Sequence, residues 1–170
     1  MNIKSTLIIL LMSLTATLPI QAQKSQKATA QNTATVCEPS AQQLQKLGLS
    51  DATLKEVRSG IWKVSVKKRN KGYVINSGVY SQGTVGYNGN TPLLVYIAND
   101  KKVTSIVSLR NRETPNYYQY AEKILKNWSG KPVKQAANMN VDAVSGATYS
   151  SKAIIKNVQV AIDAYNKYCK

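Results

Sequence analysis

A chain of 170 residues that carries 23 Lys and Arg against 8 Asp and Glu, with no histidine, rules out much chemistry at once. Without histidine there is no Ser-His-Asp triad and no His-ligated zinc site. The length suggests one domain, and the formal net charge of +15 attracts anions, acidic proteins or anionic membranes.

Met1 to Ala22 opens with Lys4, follows with an apolar stretch from Leu7, and ends on a small residue. This pattern reads as a secretory signal peptide, residues 1–22, cleaved after Ala22. A retained N-terminal anchor is the alternative. Residues 23–35 hold almost no apolar bulk and read as a flexible linker, since such a segment cannot repay its ordering entropy. The folded domain is then residues 36–170, roughly 135 residues, enough for one core.

Ser40 to Leu47 has Leu44 and Leu47 at helical spacing, Ser40 as N-cap and Gly48 as stop. Ile61 to Val66 alternates as a half-buried strand. Gly72 to Ile75 is a second strand, joined to the first by a hairpin turn in "KKRNK". Gly78, Gly83, Gly86 and Gly89 then mark a glycine-rich connection, with Asn88-Gly89 as a turn signal. Leu93 to Ile97 and Val103 to Leu109 follow as two antiparallel strands around "ANDKK". Thr114 as N-cap and Pro115 at the first helical position begin a helix. Its stripe runs through Tyr118, Ala121, Ile124, Leu125 and Trp128 to Gly130. A last helix carries Ile154, Ile155, Val158, Ala161, Ile162 and Tyr165 on its core face. The order predicts a single α+β domain, an antiparallel sheet flanked by helices.

Export would place Cys37 and Cys169, near the two ends of the folded part, in an oxidising compartment. A disulfide between them is expected, with two unpaired thiols as the alternative. Ser65-Val66-Lys67-Lys68 spells S-x-x-K, but it lies in a strand-like run without the companion motifs of Ser-Lys enzymes. Most of the lysines read as solvated surface, and no nucleic-acid motif is present.

The segment "NVDAVSGATYSSKAI" sets Ser145, Gly146, Ala147 and Thr148 at the start of the last helix. The first amides of a helix lack internal partners and favour anions. Gly146 lets the chain approach a ligand, Ala147 adds no bulk, and Ser145 offers a hydroxyl. The physics describes a phosphate site, with an ordinary Ser-capped helix as the alternative.

"DAVSGAT" resembles the flavinylation motif of the FMN-binding domain, found in subunits of sodium-pumping NADH:quinone reductase, in Rnf-type complexes and in small exported flavoproteins. "GYNGNTPLLVYIANDKKVTSIVSLRNRETPNY" is similar to the upstream half of that family, and the two stretches stand in the family's order. The resemblance implies FMN attached through its phosphate to Thr148, with Ser145, Gly146 and Ala147 around the phosphate. It implies recognition of Asp142 by a flavin transferase. Glu113, Thr114, Tyr87 and Gly89 match positions near the flavin, and Tyr80, Tyr117, Tyr118 and Tyr149 join Tyr87 as candidates to pack on the ring.

These expectations describe an exported electron-transfer flavoprotein, periplasmic or on the outer face of the cytoplasmic membrane. It would relay electrons from a membrane reductase to another envelope redox protein, with no nucleic-acid partner and with room for peripheral membrane contact. An electron carrier fits better than a complete enzyme. A flavin-dependent reductase of a small molecule and a non-redox basic binding module remain as alternatives.

Overall fold

The computed structural model describes residues 37–169. The expected signal peptide and linker lie outside the described residues. Five strands form one antiparallel sheet in simple sequence order: β1 (Thr53–Arg58), β2 (Ile61–Val66), β3 (Arg69–Asn76), β4 (Leu93–Ala98) and β5 (Val103–Ser108). The helices are α1 (Ala41–Lys46), α2 (Pro115–Glu122), α3 (Val133–Ala136) and α4 (Thr148–Tyr168). The expected α+β class and antiparallel sheet are therefore present. Among the described residues no helix is long and apolar enough to cross a membrane.

Strand alternation divides the core between the two faces of the sheet. Ile61, Ile75, Leu93, Val95 and Ile97 turn toward α4 and α2, where Val158, Ile162 and Tyr118 close the larger core. Trp62, Val64, Val74, Leu94 and Tyr96 turn the other way, beneath Leu47 and Leu49. Helix α1 holds Leu47 there because Ser40 and Gln43 form a reciprocal capping box, and Gly48 ends it at φ +76°.

The structure departs from the sequence reading at four places. Strand β1 is not announced by the sequence; only Leu54 and Val57 are apolar along it, and most of it is exposed because it is the sheet's edge. Strand β3 begins at Arg69 instead of Gly72, since the turn is only Lys67-Lys68, both at positive φ. The helix begun at Pro115 changes after Glu122 to a 3-10 segment, Lys123–Trp128, and α3 adds a turn that the polar connection did not announce. The expected Cys37–Cys169 bridge is absent: both are free thiols. Cys37 is exposed just ahead of α1, whereas Cys169 is buried in the core on the α4 face. Burial pushes the Cys169 thiol up to about 11.

One buried polar network fixes α4 against the sheet. The Asn157 side chain accepts from Ser77 Oγ at 2.7 Å and donates to Thr91 Oγ1 at 3.3 Å. Ser77 Oγ also accepts the Leu93 amide at 2.9 Å. All three side chains are fully buried, so each lost bond leaves a dry orphan. Asn157→Leu is expected to destabilise the fold by about 2–4 kcal/mol, read as a lowered urea midpoint. A midpoint unchanged within error would show that the network adds nothing.

Candidate functional site

Sheet connectivity brings three distant segments to one end. The glycine-rich connection leaves β3 at Asn76 and returns at Leu93; β5 finishes beside it at Ser108. The residues after β5 and the start of α4 complete a cleft of 430 Å³. Tyr87, Glu113, Thr114 and Tyr117 form one side, and Gly146 to Ser150 form the other.

Glu113 organises the cleft. It is 7% exposed, yet its carboxylate is fully engaged. The amides of Tyr87, Asn88 and Gly89 donate to it at 3.1, 2.7 and 3.1 Å. Ser150, in the first turn of α4, donates its hydroxyl to the same carboxylate. Burial raises the carboxyl pKa, but the Ser150 hydroxyl and the three amides outweigh it and hold the group below its ordinary value. One anion thus ties the glycine turn, the α2 approach and the α4 start together. Asn88 adds a side-chain bond to Thr114 Oγ1 at 3.1 Å.

The turn can reach Glu113 because Gly86 has no side chain. A Cβ there would stand 2.8 Å from the carboxylate carbon and both its oxygens. Gly86→Ala is expected to push the carboxylate off its amides at a cost of about 1–3 kcal/mol, detectable as a lower thermal midpoint. Gly86 and Asn88 do not stand out as site residues in the sequence. The available signal was a tight Gly-x-x-Gly turn and, further on, a lone Glu between arginine-rich chain and Pro115.

The opposite wall is the N-terminus of α4. The helix starts after Ala147, which offers no side-chain cap, so Ser145 does not cap it as the ordinary alternative required. Ala147 N–H bonds back to Val144, and the first helical bond of the run is Ser151 to Ala147. The amides of Thr148, Tyr149 and Ser150 therefore have no acceptor among the described residues. Gly146 sits at φ +79°, a left-handed conformation that spares the approach any side chain. Ser151 Oγ accepts the Val144 amide at 3.1 Å and pins the loop to the helix.

The sequence-predicted residues divide accordingly. Thr148, Gly146, Ala147, Glu113, Thr114 and Tyr87 line the cleft together. Gly89 lies behind Glu113 as an amide donor. Ser145 is exposed beside Gly146, and Asp142 is exposed in the preceding segment with no hydrogen bond among the described residues. Of the candidate tyrosines, Tyr87, Tyr117 and Tyr149 border the cleft. The rings of Tyr87 and Tyr149 stand 6.4 Å apart. Tyr118 instead lies in the core with its hydroxyl on Ser108, and Tyr80 packs near Tyr168.

An anionic group on a thin aromatic body suits this cleft: free amides and a hydroxyl at one wall, tyrosine faces at its mouth. Known proteins point the same way. Residues 86–163 match the FMN-binding domain, in agreement with the resemblance in the sequence. Over 113 residues the chain is 26% identical to a subunit of the Na(+)-translocating ferredoxin:NAD(+) oxidoreductase complex of Acetobacterium woodii, covering 60% of this chain and 55% of that one. Over 93 residues it is 31% identical to the NADH:acrylate oxidoreductase of Vibrio harveyi, covering 52% of this chain and 8% of that one. The chain thus spans about half of the first relative and a small fraction of the second.

Proposed function

We propose that this chain, an FMN-binding domain over residues 86–163, is a flavin electron carrier with FMN held by a phosphoester bond to Thr148. The observation that carries the reading is the α4 N-terminus. It presents three unpartnered amides and the exposed Thr148 hydroxyl to one cleft, with Gly146 and Ala147 leaving space for a phosphate. The amides and the helix dipole offset the phosphate charge, and Ser145 lies within the same turn. Glu113 does not repel that phosphate strongly, because four donors already absorb its charge.

FMN supplies one- and two-electron chemistry when bound. The protein's part is to hold and orient. Thr148 fixes one end, the Glu113 clamp sets the distance between the walls, and Tyr87, Tyr117 and Tyr149 present aromatic surface at the mouth. These tyrosines are between 56% and 73% exposed, which leaves the mouth open to a redox partner. Attachment further requires a flavin transferase, for which the exposed Asp142 is the recognition point.

The two relatives are named as redox enzymes or their subunits, which supports a membrane or envelope redox protein as the partner. Export, with residues 1–22 as a cleaved signal, 23–35 as linker and 36–170 as the domain, belongs to the same proposal. So does a location in the periplasm or on the outer face of the cytoplasmic membrane. A carrier, as opposed to a flavin-dependent reductase, is expected to accept electrons stoichiometrically and to give them up only to a second redox protein or dye. Anaerobic titration of the flavin-loaded chain checks this. Sustained turnover of a soluble donor against a small molecule would move the function to a reductase, and a colourless protein would return it to a basic binding module.

A further inference from the structure

The strand connections place two tight turns at the end of the sheet opposite the cleft. One joins β2 to β3 at Lys67-Lys68, and the other joins β4 to β5 through Asn99 to Lys102. They are neighbours: the Asn99 amide bonds to Lys71 O at 3.1 Å and the Asn99 side chain to Asn70 O. The segment from Lys131 into α3 joins them, since the Val133 amide bonds to Lys101 O at 2.8 Å and Val103 to Lys131 O at 2.9 Å. Three stretches of chain therefore make one continuous end.

That end is basic. Lys67 and Lys68 lead it, followed along β3 by Arg69 and Lys71. Lys101 and Lys102 stand on the second turn, and Lys131 and Lys134 on the third segment. Asp100 is the one acidic residue among these segments, and it is taken by Lys102 at 3.2 Å, the only ion pair among the described residues. The end carries no large exposed apolar side chain: Val57, Val85 and the four exposed tyrosines all lie outside these segments.

The backbone adds an independent observation. Three non-glycine residues among those described have positive φ, and all three are lysines of this end: Lys67 at 49°, Lys68 at 63° and Lys101 at 59°. A two-residue hairpin turn with both φ positive favours Asn-Gly, and a left-handed residue closing a turn favours Gly. Lysine at such positions is held against the local preference. Charge is kept where turn chemistry asks for something else.

We infer that this end is a docking surface for the headgroups of an anionic phospholipid bilayer, and that it turns the FMN cleft away from the membrane. The chemistry favours lipid over an acidic protein. The charges are lysines in all but one case, compact and mobile, suited to a diffuse field of phosphates and not to planar carboxylate pairing. A protein partner would be anchored by aromatic hot spots, and this end has none. The eight cations of these segments fall within the number that gives electrostatic adsorption to anionic leaflets without insertion. The β3 strand, eight residues long, sets the cleft about 25 Å away along the sheet.

The test is sedimentation of the full chain with vesicles of phosphatidylcholine alone or with about a third phosphatidylglycerol. Expected is a preference of at least about tenfold for the anionic vesicles, reversed by high salt. The triple variant Lys67→Asn, Lys68→Gly, Lys101→Gly is expected to bind about a hundredfold more weakly. Its thermal midpoint should rise by about 3 °C, because each turn gains its favoured residue. A control losing the same charge elsewhere, Lys46→Gln, Lys123→Gln, Lys156→Gln, should keep most of the binding. Equal binding to both vesicle types overturns the inference, as does a triple variant that binds like the parent or melts lower. Failure on vesicles together with salt-sensitive capture of an acidic protein also overturns it, in favour of a protein partner.

Discussion

Thr148→Ala is expected to abolish covalent flavin while leaving the fold and its thermal midpoint nearly unchanged. The side chain of Thr148 is exposed and takes part in no hydrogen bond among the described residues. It occupies the first position of α4, where alanine is at least as good a helix former, so the stability change should stay within about 0.5 kcal/mol. The flavin effect, by contrast, is all or none, because no bond to phosphorus forms without the hydroxyl oxygen. Thr148→Ser restores an oxygen at the same place and is expected to restore attachment. Denatured protein on a gel, viewed for flavin fluorescence, reads both results directly. Fluorescence surviving in Thr148→Ala would assign the bond to another hydroxyl. Asp142→Ala separates chemistry from recognition: it too should yield colourless, folded protein.

Glu113→Gln has the larger structural effect. The carboxylate accepts three backbone amides and the Ser150 hydroxyl in a site almost closed to water. An amide in its place has one acceptor oxygen and turns an NH2 group toward donors. The expected cost is about 2–4 kcal/mol, with the glycine turn released from α4. The variant also tests a pH dependence whose sign is set by the lowered carboxyl pKa. A group with a depressed folded pKa stabilises fully above its unfolded value and loses that contribution as pH falls through the folded value. The parent chain should therefore lose stability below about pH 4.5, and Glu113→Gln should show a shallower acid slope. Thermal midpoints across that range decide it. Parallel curves for the two proteins would mean the clamp contributes little, whatever its hydrogen bonds.

Much of the cleft could be read from residue order, because its parts use chemistry with local signatures. Pro115 at the first helical position and the change at Thr148 from small residues to a helical stripe located two walls. The turn that shares the first wall with Glu113 was visible only as a glycine-rich connection. That the turn exists to cup a carboxylate is a matter of amides from one segment meeting a side chain some 25 residues on, and no periodicity encodes it. Edge strand β1 escaped for a different reason. It is bound through backbone pairing to β2, and its exposed side chains carry no alternation. The split after Glu122 escaped because 3-10 and α spacing both keep Ile124, Leu125 and Trp128 inward over one short segment. The cysteines misled by position in the chain. Nearness to the two ends of a domain says nothing of which side of the sheet each thiol joins.

The two ends of the molecule divide its expected work. One bears lysines in turns that resist them, the other a clamped cleft with tyrosines at its mouth. Membrane docking can fail without flavin attachment failing, since vesicle binding needs no flavin and flavin attachment needs no membrane.

The carrier reading turns on the bond between Thr148 and the flavin phosphate, and the mass of the intact chain made alongside a flavin transferase measures that bond. A gain of one FMN less one water is expected, because the Thr148 oxygen becomes one of the four on phosphorus, with the added mass on the peptide that holds Thr148. An unmodified mass, or the same gain on a peptide without Thr148, would refute the bond.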